Sequence, residues 1–193
     1  MFFKRRSPQS SDPDKYNARG NYFFLKGKSN EALKWYKTAE KVAREIHDDN
    51  ELGKALNNQG NALSAMSKLD EAMLLYQEAE RLFKQTDDDE ELAKALNNQG
   101  SIHFKRGNTQ EALRLFKEKE RISQSIGNVT GVLESLNNQT AVYNELKDYD
   151  KMVPLLQRSI DLYSEQKNFK KDPGCRQLQC RVDRDRKADS KTG

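Results

Sequence analysis

The chain has 193 residues, of which 35% are hydrophobic and 33% charged, and its formal net charge at pH 7 is +4. This balance is typical of a helical protein with a large charged surface and argues against a compact α/β enzyme with one large core. Only ten Gly and four Pro interrupt the chain, so most segments are compatible with helix and strands have little to start from.

The positive charge is concentrated at the two ends of the chain. Residues 170–193 hold eight Lys or Arg against four Asp or Glu, and residues 1–15 hold four against two, which leaves 22 basic and 24 acidic residues between them. We therefore expect a near-neutral folded region with charged, disordered tails at residues 1–12 and 169–193. The distribution argues against nucleic acid as a partner, because a nucleic-acid-binding domain normally carries its positive charge on the folded surface.

The cysteines and the distribution of apolar residues indicate in which cellular compartment the protein is expected. Cys175 and Cys180 both lie in the C-terminal tail, where they cannot cross-link the helical region, and their C-x4-C spacing supplies at most half of a metal site. The basic residues 4–6 follow the short apolar start and do not precede it, unlike a secretory signal, and no apolar run is long enough to span a membrane. We expect a cytoplasmic protein without metal, cofactor or membrane contact.

An internal repeat is the strongest feature of the sequence. LNNQG occurs at residues 56–60 and 96–100 and LNNQT at residues 136–140, a constant spacing of 40 residues, and one further step back gives YNARG at residues 16–20. The flanking residues keep the same register. The sequence therefore predicts four repeats, at about residues 13–47, 48–87, 88–127 and 128–168.

Each repeat is predicted to hold two helices, because its apolar residues recur at helical spacing. In the first repeat the predicted break between helices lies at residues 27–30 and the exit at residues 47–50. The second and third repeats follow the same plan, with breaks at residues 67–70 and 107–109 and exits at residues 86–89 and 127–128. The inward positions of these two repeats are Leu56, Gly60, Leu63 and Met66, then Ala72, Leu75, Tyr76, Ala79 and Leu82, and Leu96, Gly100 and His103, then Ala112, Leu115, Phe116 and Ile122.

Two local features need a specific interpretation. The acidic run at residues 87–91 lacks the glycine and the ligand spacing of a calcium loop and is predicted to be a helix start. The fourth repeat diverges most, with Thr140 in place of glycine, Met152 in place of alanine and Pro154 inside the second helix, where the lost backbone bond is expected to kink the helix or delay its start.

The small-residue pattern carries a family resemblance. A glycine on the first helix and an alanine followed by an aromatic residue on the second, as in Gly60, Ala72 and Tyr76, resemble the tetratricopeptide repeat. The 40-residue period is similar to the longer-helix variety found in kinesin light chains and many bacterial repeat proteins. The resemblance covers about residues 13–168 and implies an all-α solenoid of four antiparallel helix hairpins in a right-handed superhelix, acting as a binding scaffold and not as an enzyme.

Two details of this pattern carry structural expectations. Gly60 and Gly100 each cost about 1 kcal/mol inside a helix, which predicts a close approach of two helix backbones, with Ala32, Ala72 and Ala112 as the matching small residues. Where the family usually has leucine before the first-helix glycine, this chain has Arg19, Gln59, Gln99 and Gln139. We expect these side chains at a rim or in hydrogen bonds.

The resemblance also implies a binding groove, because in relatives the first helices line a concave surface that takes an extended peptide. Asparagine is a poor helix former, and its recurrence in pairs here suggests amides that hold a peptide backbone, while the neighbouring lysines favour an acidic peptide or a terminal carboxylate. The alternative is that one asparagine of each pair bonds to the neighbouring repeat. The positions that resemble the groove are Lys54, Asn57, Asn58, Asn61, Lys94, Asn97, Asn98, Ser101, Lys105, Asn137, Asn138 and Asn144.

The end of the array offers a second candidate surface. The last predicted helix is strongly apolar at Leu155, Ile160, Leu162 and Tyr163, and Ile160 replaces the glutamate found at Glu40, Glu80 and Glu120. A repeat array needs a polar cap on its last face. We therefore expect this end face to be covered by another copy, a partner or a further repeat, which makes self-assembly the alternative function.

Catalysis finds little support in the sequence. His47 lies near a helix end and His103 on an inward face, where a structural histidine is the simpler interpretation, and no serine or cysteine has a base that the repeats would bring close. The sequence therefore predicts a protein or peptide partner, whose identity it leaves open.

Overall fold

The protein is described by a computed structural model in which residues 12–165 are placed. All its secondary structure within that range is α-helical, as the sequence predicts. The eight helices are α1 (Pro13–Leu25), α2 (Ser29–Glu45), α3 (Asp49–Ala65), α4 (Leu69–Gln85), α5 (Asp89–Lys105), α6 (Thr109–Ser125), α7 (Val129–Glu145) and α8 (Tyr149–Glu165). The cysteine pair and most of the two predicted tails lie outside the described residues.

The chain divides into two compact units after Ile102, within α5. In the first unit α1 packs on α2, α2 on α3 and α3 on α4, and the first helices α1 and α3 also touch each other. In the second unit α6 packs on α7 and α7 on α8. Consecutive hairpins of this kind confirm the predicted all-α architecture.

Every turn between helices contains one residue in the left-handed region, spaced 20 residues apart. Three of these residues are glycines, Gly27, Gly107 and Gly127, with φ between 69° and 77°. The other four are not glycines, although an L side chain is disfavoured there: His47, Ser67, Asp87 and Lys147, with φ between 53° and 61°. The predicted breaks and exits are thus confirmed.

Side-chain caps begin the first helices α3, α5 and α7, and Asp148 Oδ1 makes the same kind of bond before α8, accepting from Lys151 N at 3.3 Å. Asp48 Oδ1 accepts from Glu51 N at 2.9 Å, Asp88 Oδ1 from Glu91 N at 3.0 Å and Asn128 Oδ1 from Gly131 N at 2.9 Å. The residues before α2, α4 and α6 make no such bond. The acidic run at residues 87–91 is therefore a capped helix start, as predicted, and its charges lie at the positive end of the helix dipole.

The first-helix glycines make room for an aromatic ring, which differs from the backbone contact that the sequence suggested. A Cβ built on Gly60 would lie 2.5 Å from Cε1 of Tyr76, and one built on Gly20 would collide with the ring of Tyr36. Both rings are buried and belong to the second helix of the same hairpin. The glycine and the aromatic residue are therefore two halves of one packing arrangement.

The fourth repeat changes both halves together. Thr140 takes the glycine register and Leu156 the aromatic register, and both are fully buried. Pro154 does not delay α8, which begins at Tyr149 in the same register as α4 and α6, so that part of the expectation is wrong. The helix starts ahead of the proline because Asp148 already fixes the first turn, its carbonyl accepting from Met152 N at 3.1 Å.

Candidate functional site

Amide side chains link the first helices of the first unit to one another. Asn58 Nδ2 on α3 donates to Asn17 Oδ1 on α1 at 3.3 Å, and Asn98 Nδ2 on α5 donates to both Asn57 Oδ1 and Asn61 Oδ1 on α3 at 3.0 Å. The result is an amide row that links three first helices, with one bond between α1 and α3 and two between α3 and α5. The alternative in which an asparagine of each pair bonds to the neighbouring repeat is confirmed for Asn58 and Asn98.

Tyrosine hydroxyls of the second helices donate hydrogen bonds to asparagine side chains of the first helices. The Tyr76 hydroxyl donates to Asn61 Oδ1 at 2.8 Å, and the Tyr36 hydroxyl donates in the same way to Asn21 Oδ1 at 2.8 Å. Burial raises the pKa of Tyr36 to about 12 and that of Tyr76 still further, so both hydroxyls stay protonated and remain donors near neutral pH.

The predicted groove residues of this unit differ in how accessible they are. Asn57 is only 4% exposed, which leaves its side chain little surface for a ligand. Lys54, Asn58, Asn61, Asn97, Asn98 and Ser101 are half-buried, and Lys94 is exposed. The Ser101 hydroxyl donates to the backbone carbonyl of Asn97 at 2.8 Å.

The groove lysines are paired with carboxylates of their own helices. Lys54 Nζ lies 2.9 Å from Glu51 Oε1, and Lys94 Nζ lies 2.8 Å from Glu91 Oε1. Burial lowers the pKa of both lysines, but the hydrogen bonds and charges of these glutamates raise each pKa by more, so both end above their ordinary values. An acidic ligand would have to displace these glutamates, which weakens the prediction of an acidic peptide.

The second unit carries the remaining groove positions on a different charge pattern. Lys105 is exposed, and Asn137, Asn138 and Asn144 on α7 are half-buried. Asn144 Oδ1 is buried and has no hydrogen-bond partner among the described residues.

A buried lysine further changes the charge pattern of this unit. Where the first unit has lysines at the groove register, α7 has Glu134, whose Oε2 accepts from Lys119 Nζ at 2.7 Å. Lys119 is only 3% exposed and replaces the buried Ala39 and Ala79 of the earlier repeats. The groove register therefore reverses its charge in the fourth repeat.

A glutamine–glutamate bond joins each repeat to the next, and sequence reasoning found only half of it. Gln59 Nε2 donates to Glu40 Oε2 at 2.7 Å, and the pairs Gln99 with Glu80 and Gln139 with Glu120 repeat the bond at 2.6 Å. Hydrogen bonding of these glutamines was predicted, but the partner was not. The signal was present, because glutamine and glutamate recur at one fixed separation of 19 residues in three repeats.

The end face on α8 lacks the glutamate that forms this bond in the earlier repeats. Ile160 on α8 takes the glutamate register and, like Leu155, Leu162 and Tyr163, is half-buried. In earlier repeats the Tyr163 register holds Phe83 and Ser123, which are both fully buried. The positions that a following repeat would cover are therefore partly open on α8.

The first repeat carries an aromatic cluster. Arg19, in the glutamine register of α1, places its guanidinium carbon 4.3 Å from the centroid of the Trp35 ring. The Tyr16 ring is stacked on Trp35 at a centroid distance of 6.3 Å. We call the surface formed by Tyr16, Arg19, Tyr22 and Trp35 the first-repeat face.

The two histidines of the described residues occupy a turn and a first helix. His47 occupies a left-handed turn position, and His103 Nδ1 is buried without a hydrogen-bond partner among the described residues. Within the same range no three His, Cys, Asp or Glu side chains are grouped to hold a metal ion. None of the helices in this part of the chain combines the length and the apolar character that crossing a membrane requires.

These hairpins, with a small residue facing an aromatic ring, define a helical-repeat protein. The tetratricopeptide repeat family matches residues 13–85 and 91–165, so the chain belongs to that family. No curated protein matches the sequence.

Solved structures share the fold at low sequence identity. BtubC (BKLC) from P. vanneervenii is 20% identical with a TM-score of 0.72, over 88% of this chain and 70% of that one. A kinesin light chain with TPR-like repeats from Podosopora anserina is 14% identical with a TM-score of 0.69, over 82% and 78%. A Rap protein complexed with competence and sporulation factor is 15% identical with a TM-score of 0.75, over 81% of this chain but only 44% of that one.

Proposed function

We propose that this protein is a non-catalytic scaffold that binds an extended peptide or helix of a partner protein on the surface formed by its first helices. Membership of the tetratricopeptide repeat family supports a role in protein–protein interaction, and the Rap protein of the same fold is known in complex with a factor. The observation that carries the proposal is the amide row from Asn17 through Asn58 and Asn61 to Asn98.

The hydrogen bonds within the row determine what it offers to a ligand. Both hydrogens of Asn98 Nδ2 are used within the row, so Asn98 presents its Oδ1 as an acceptor. Asn58 uses one hydrogen and keeps a second for a peptide carbonyl. Because its amides are already held in place, the row would lose little side-chain freedom on binding, which favours affinity.

The charges favour a peptide without a strong net charge. Lys54 and Lys94 are paired with Glu51 and Glu91, and Glu134 replaces lysine in the fourth repeat. An acidic peptide would meet these carboxylates as well as the lysines. We therefore propose main-chain recognition by the amides of the row, with Lys94, on the same helix as Asn98, contributing beside it.

Peptide selection from a displayed random library tests this function. The groove variant combines Lys94→Ala, Asn97→Ala and Asn137→Ala, which leaves Asn58 and Asn98 in place so that the row itself is preserved. A matched control replaces the exposed second-helix residues Lys37, Gln77 and Lys117 by alanine. Equal thermal melting of the three chains is checked by circular dichroism.

We expect the wild type and the control variant to enrich a common motif and the groove variant to lose it. If all three chains enrich the same motif, Lys94, Asn97 and Asn137 are not part of the site, which contradicts the proposed contribution of these first-helix residues. If none enriches a motif, the amide row serves only to join the repeats, and the second function below becomes the better candidate.

The second candidate is self-assembly through the end face, favoured by the half-buried Ile160 and Tyr163 in registers that earlier repeats bury or pair. We expect Ile160→Glu to weaken association of the chain with itself at high concentration. Sedimentation of the wild type and Ile160→Glu measures this effect, and a wild type that is monomeric throughout would contradict the proposal.

A further inference from the structure

The first-repeat face occupies a register that three internal junctions use for contact with a preceding helix. Gln59, Gln99 and Gln139 each donate from that register to a glutamate on the second helix before it. In α1, the first described helix, the register holds Arg19. An arginine here can make the same contact with a carboxylate and adds a full positive charge to it.

The surroundings of Arg19 keep the guanidinium positioned for such a contact. The guanidinium lies over the Trp35 ring, which orients its plane, and the Tyr16 ring is stacked on the same tryptophan. Guanidinium edges stay available for a carboxylate when the face of the group is stacked. No carboxylate of the described residues lies within ion-pair distance of Arg19, which is exposed.

One aromatic residue of the face is exposed at a position that the later repeats bury. Tyr22 is 55% exposed, whereas Ala62 and Ile102 in the same register are 0% and 1% exposed. Tyrosine, tryptophan and arginine are the residue types that dominate binding energy at protein interfaces, and the first-repeat face carries all three. Lys26 Nζ lies 4.2 Å from the centroid of the Tyr22 ring, so the face combines an aromatic contact area with two cations, Arg19 and Lys26.

The segments outside the described residues contain no glutamate, and the four aspartates of residues 166–193 lie among nine Lys and Arg. Residues 1–11 contain no Asp or Glu. The corresponding end of a second copy presents Ile160 in the glutamate register, so head-to-tail stacking of two copies would leave Arg19 without its acceptor. Charge complementarity thus points away from both and towards another protein.

We propose that the first-repeat face docks an amphipathic helix of a partner protein that presents a glutamate between small apolar side chains. The helices that carry Glu40 and Glu80 show the required chemistry, because each glutamate follows a fully buried alanine, Ala39 or Ala79. This surface is distinct from the amide row of the first helices, so a partner could bind here whether or not a peptide binds there.

A helical peptide with the sequence of α4, residues 69–85, is the probe. It is stapled through the exposed positions 77 and 81, so that its helicity can be verified by circular dichroism, and its control carries Glu80→Gln. Trp35 is the only tryptophan of the full chain and lies in the face, and the probe contains none, so tryptophan fluorescence reports binding at this surface. The chains tested are the wild type, Arg19→Glu, Arg19→Gln and a chain without residues 1–11.

We expect a saturable change in Trp35 emission with the probe, weakened about tenfold or more by Glu80→Gln in the peptide or Arg19→Glu in the chain. Arg19→Gln restores the pair that internal junctions use and should retain binding. The proposal fails if the verified helix leaves Trp35 emission unchanged at millimolar concentration, or if binding ignores both charge changes. It also fails if binding appears only after removal of residues 1–11, since those residues would then be the occupant.

Discussion

The glutamine–glutamate bond between repeats allows one prediction to be worked through in detail. Gln99 is 4% exposed and its Nε2 lies 2.6 Å from Glu80 Oε2. Replacing Gln99 by leucine leaves a partly buried carboxylate that keeps only Lys84, 2.6 Å away, and water as partners. Hydrogen bonds to charged groups are worth about 1.5–3 kcal/mol, and we expect Gln99→Leu to lower the free energy of unfolding by about 2 kcal/mol.

The partner substitution and the double variant make this estimate specific. Glu80→Leu leaves the buried Gln99 amide without its acceptor and should lower the free energy of unfolding by about 1–3 kcal/mol. The double variant replaces both polar groups by an apolar pair, so its free energy of unfolding should fall by less than that of either single variant. A loss of about 2 kcal/mol corresponds to a melting temperature lower by roughly 4–8 °C for a domain of this size. Gln77→Leu on the exposed side of α4 is the control and should stay within about 0.5 kcal/mol.

Urea unfolding followed by circular dichroism and by Trp35 fluorescence measures the free energy of unfolding of the five chains, the wild type, the two single variants, the double variant and the control. Coincident transitions from the two probes would justify a two-state treatment. If the losses of the two single variants add in the double variant to within about 0.5 kcal/mol, the two side chains act independently and the bond does not join the repeats.

Three further predictions address the turns, the core and a cap. Ser67→Gly, at a left-handed turn position, should raise the free energy of unfolding by about 0.5–1 kcal/mol, measured in urea; an unchanged midpoint would contradict the assigned strain. Gly60→Ala should cost about 1–3 kcal/mol because its Cβ collides with the Tyr76 ring, and Tyr76→Leu should recover part of that loss in thermal melting, as the Thr140 and Leu156 combination suggests. Burial raises the pKa of Asp88, but hydrogen bonds from the Asn50 side chain and the Glu91 amide lower this pKa by more, so it ends below its ordinary value. The ionised Asp88 therefore stabilises the fold above the unfolded pKa of about 3.9, and this contribution is lost as the pH falls through the lower folded pKa. We expect Asp88→Asn to lower the free energy of unfolding in urea at pH 7 and to match the wild type in acid, and an equal loss at both pH values would contradict this account.

The sequence predicted the architecture because its evidence for helices is local and repeated. Constant spacing of LNNQG, helical periodicity and turn residues all describe neighbours along the chain, and these elements were confirmed. The partner of Gln99 was missed because it lies on another helix. Helical periodicity describes one helix at a time, and the contact becomes visible only when the glutamine and glutamate positions of successive repeats are compared. The ring of Tyr76 was missed for a related reason, since small residues indicate that something approaches closely but not what does.

The candidate site was harder to predict than the fold. The amide register could be found from the repeats, but whether an amide points at a ligand or at the next helix depends on distances of a few ångströms. Asn57 and Asn58 are adjacent in sequence, yet one is buried and accepts from α5 while the other donates to α1. The pairing of Lys54 with Glu51 likewise changes the expected ligand charge, although both residues were visible in the sequence.

The uniform spacing of the left-handed turns has a consequence for how such a chain keeps its helices in order. Since turns within and between repeats are equally spaced, backbone geometry alone does not tell a helix which neighbour belongs to its own hairpin. That information resides in a few side chains: glycine and tyrosine match within a hairpin, and glutamine and glutamate match between hairpins. Loss or gain of a single helix would therefore preserve every turn but place two helices of the same kind side by side and remove the matching pairs at that junction, so arrays of this kind should change length only in whole 40-residue steps.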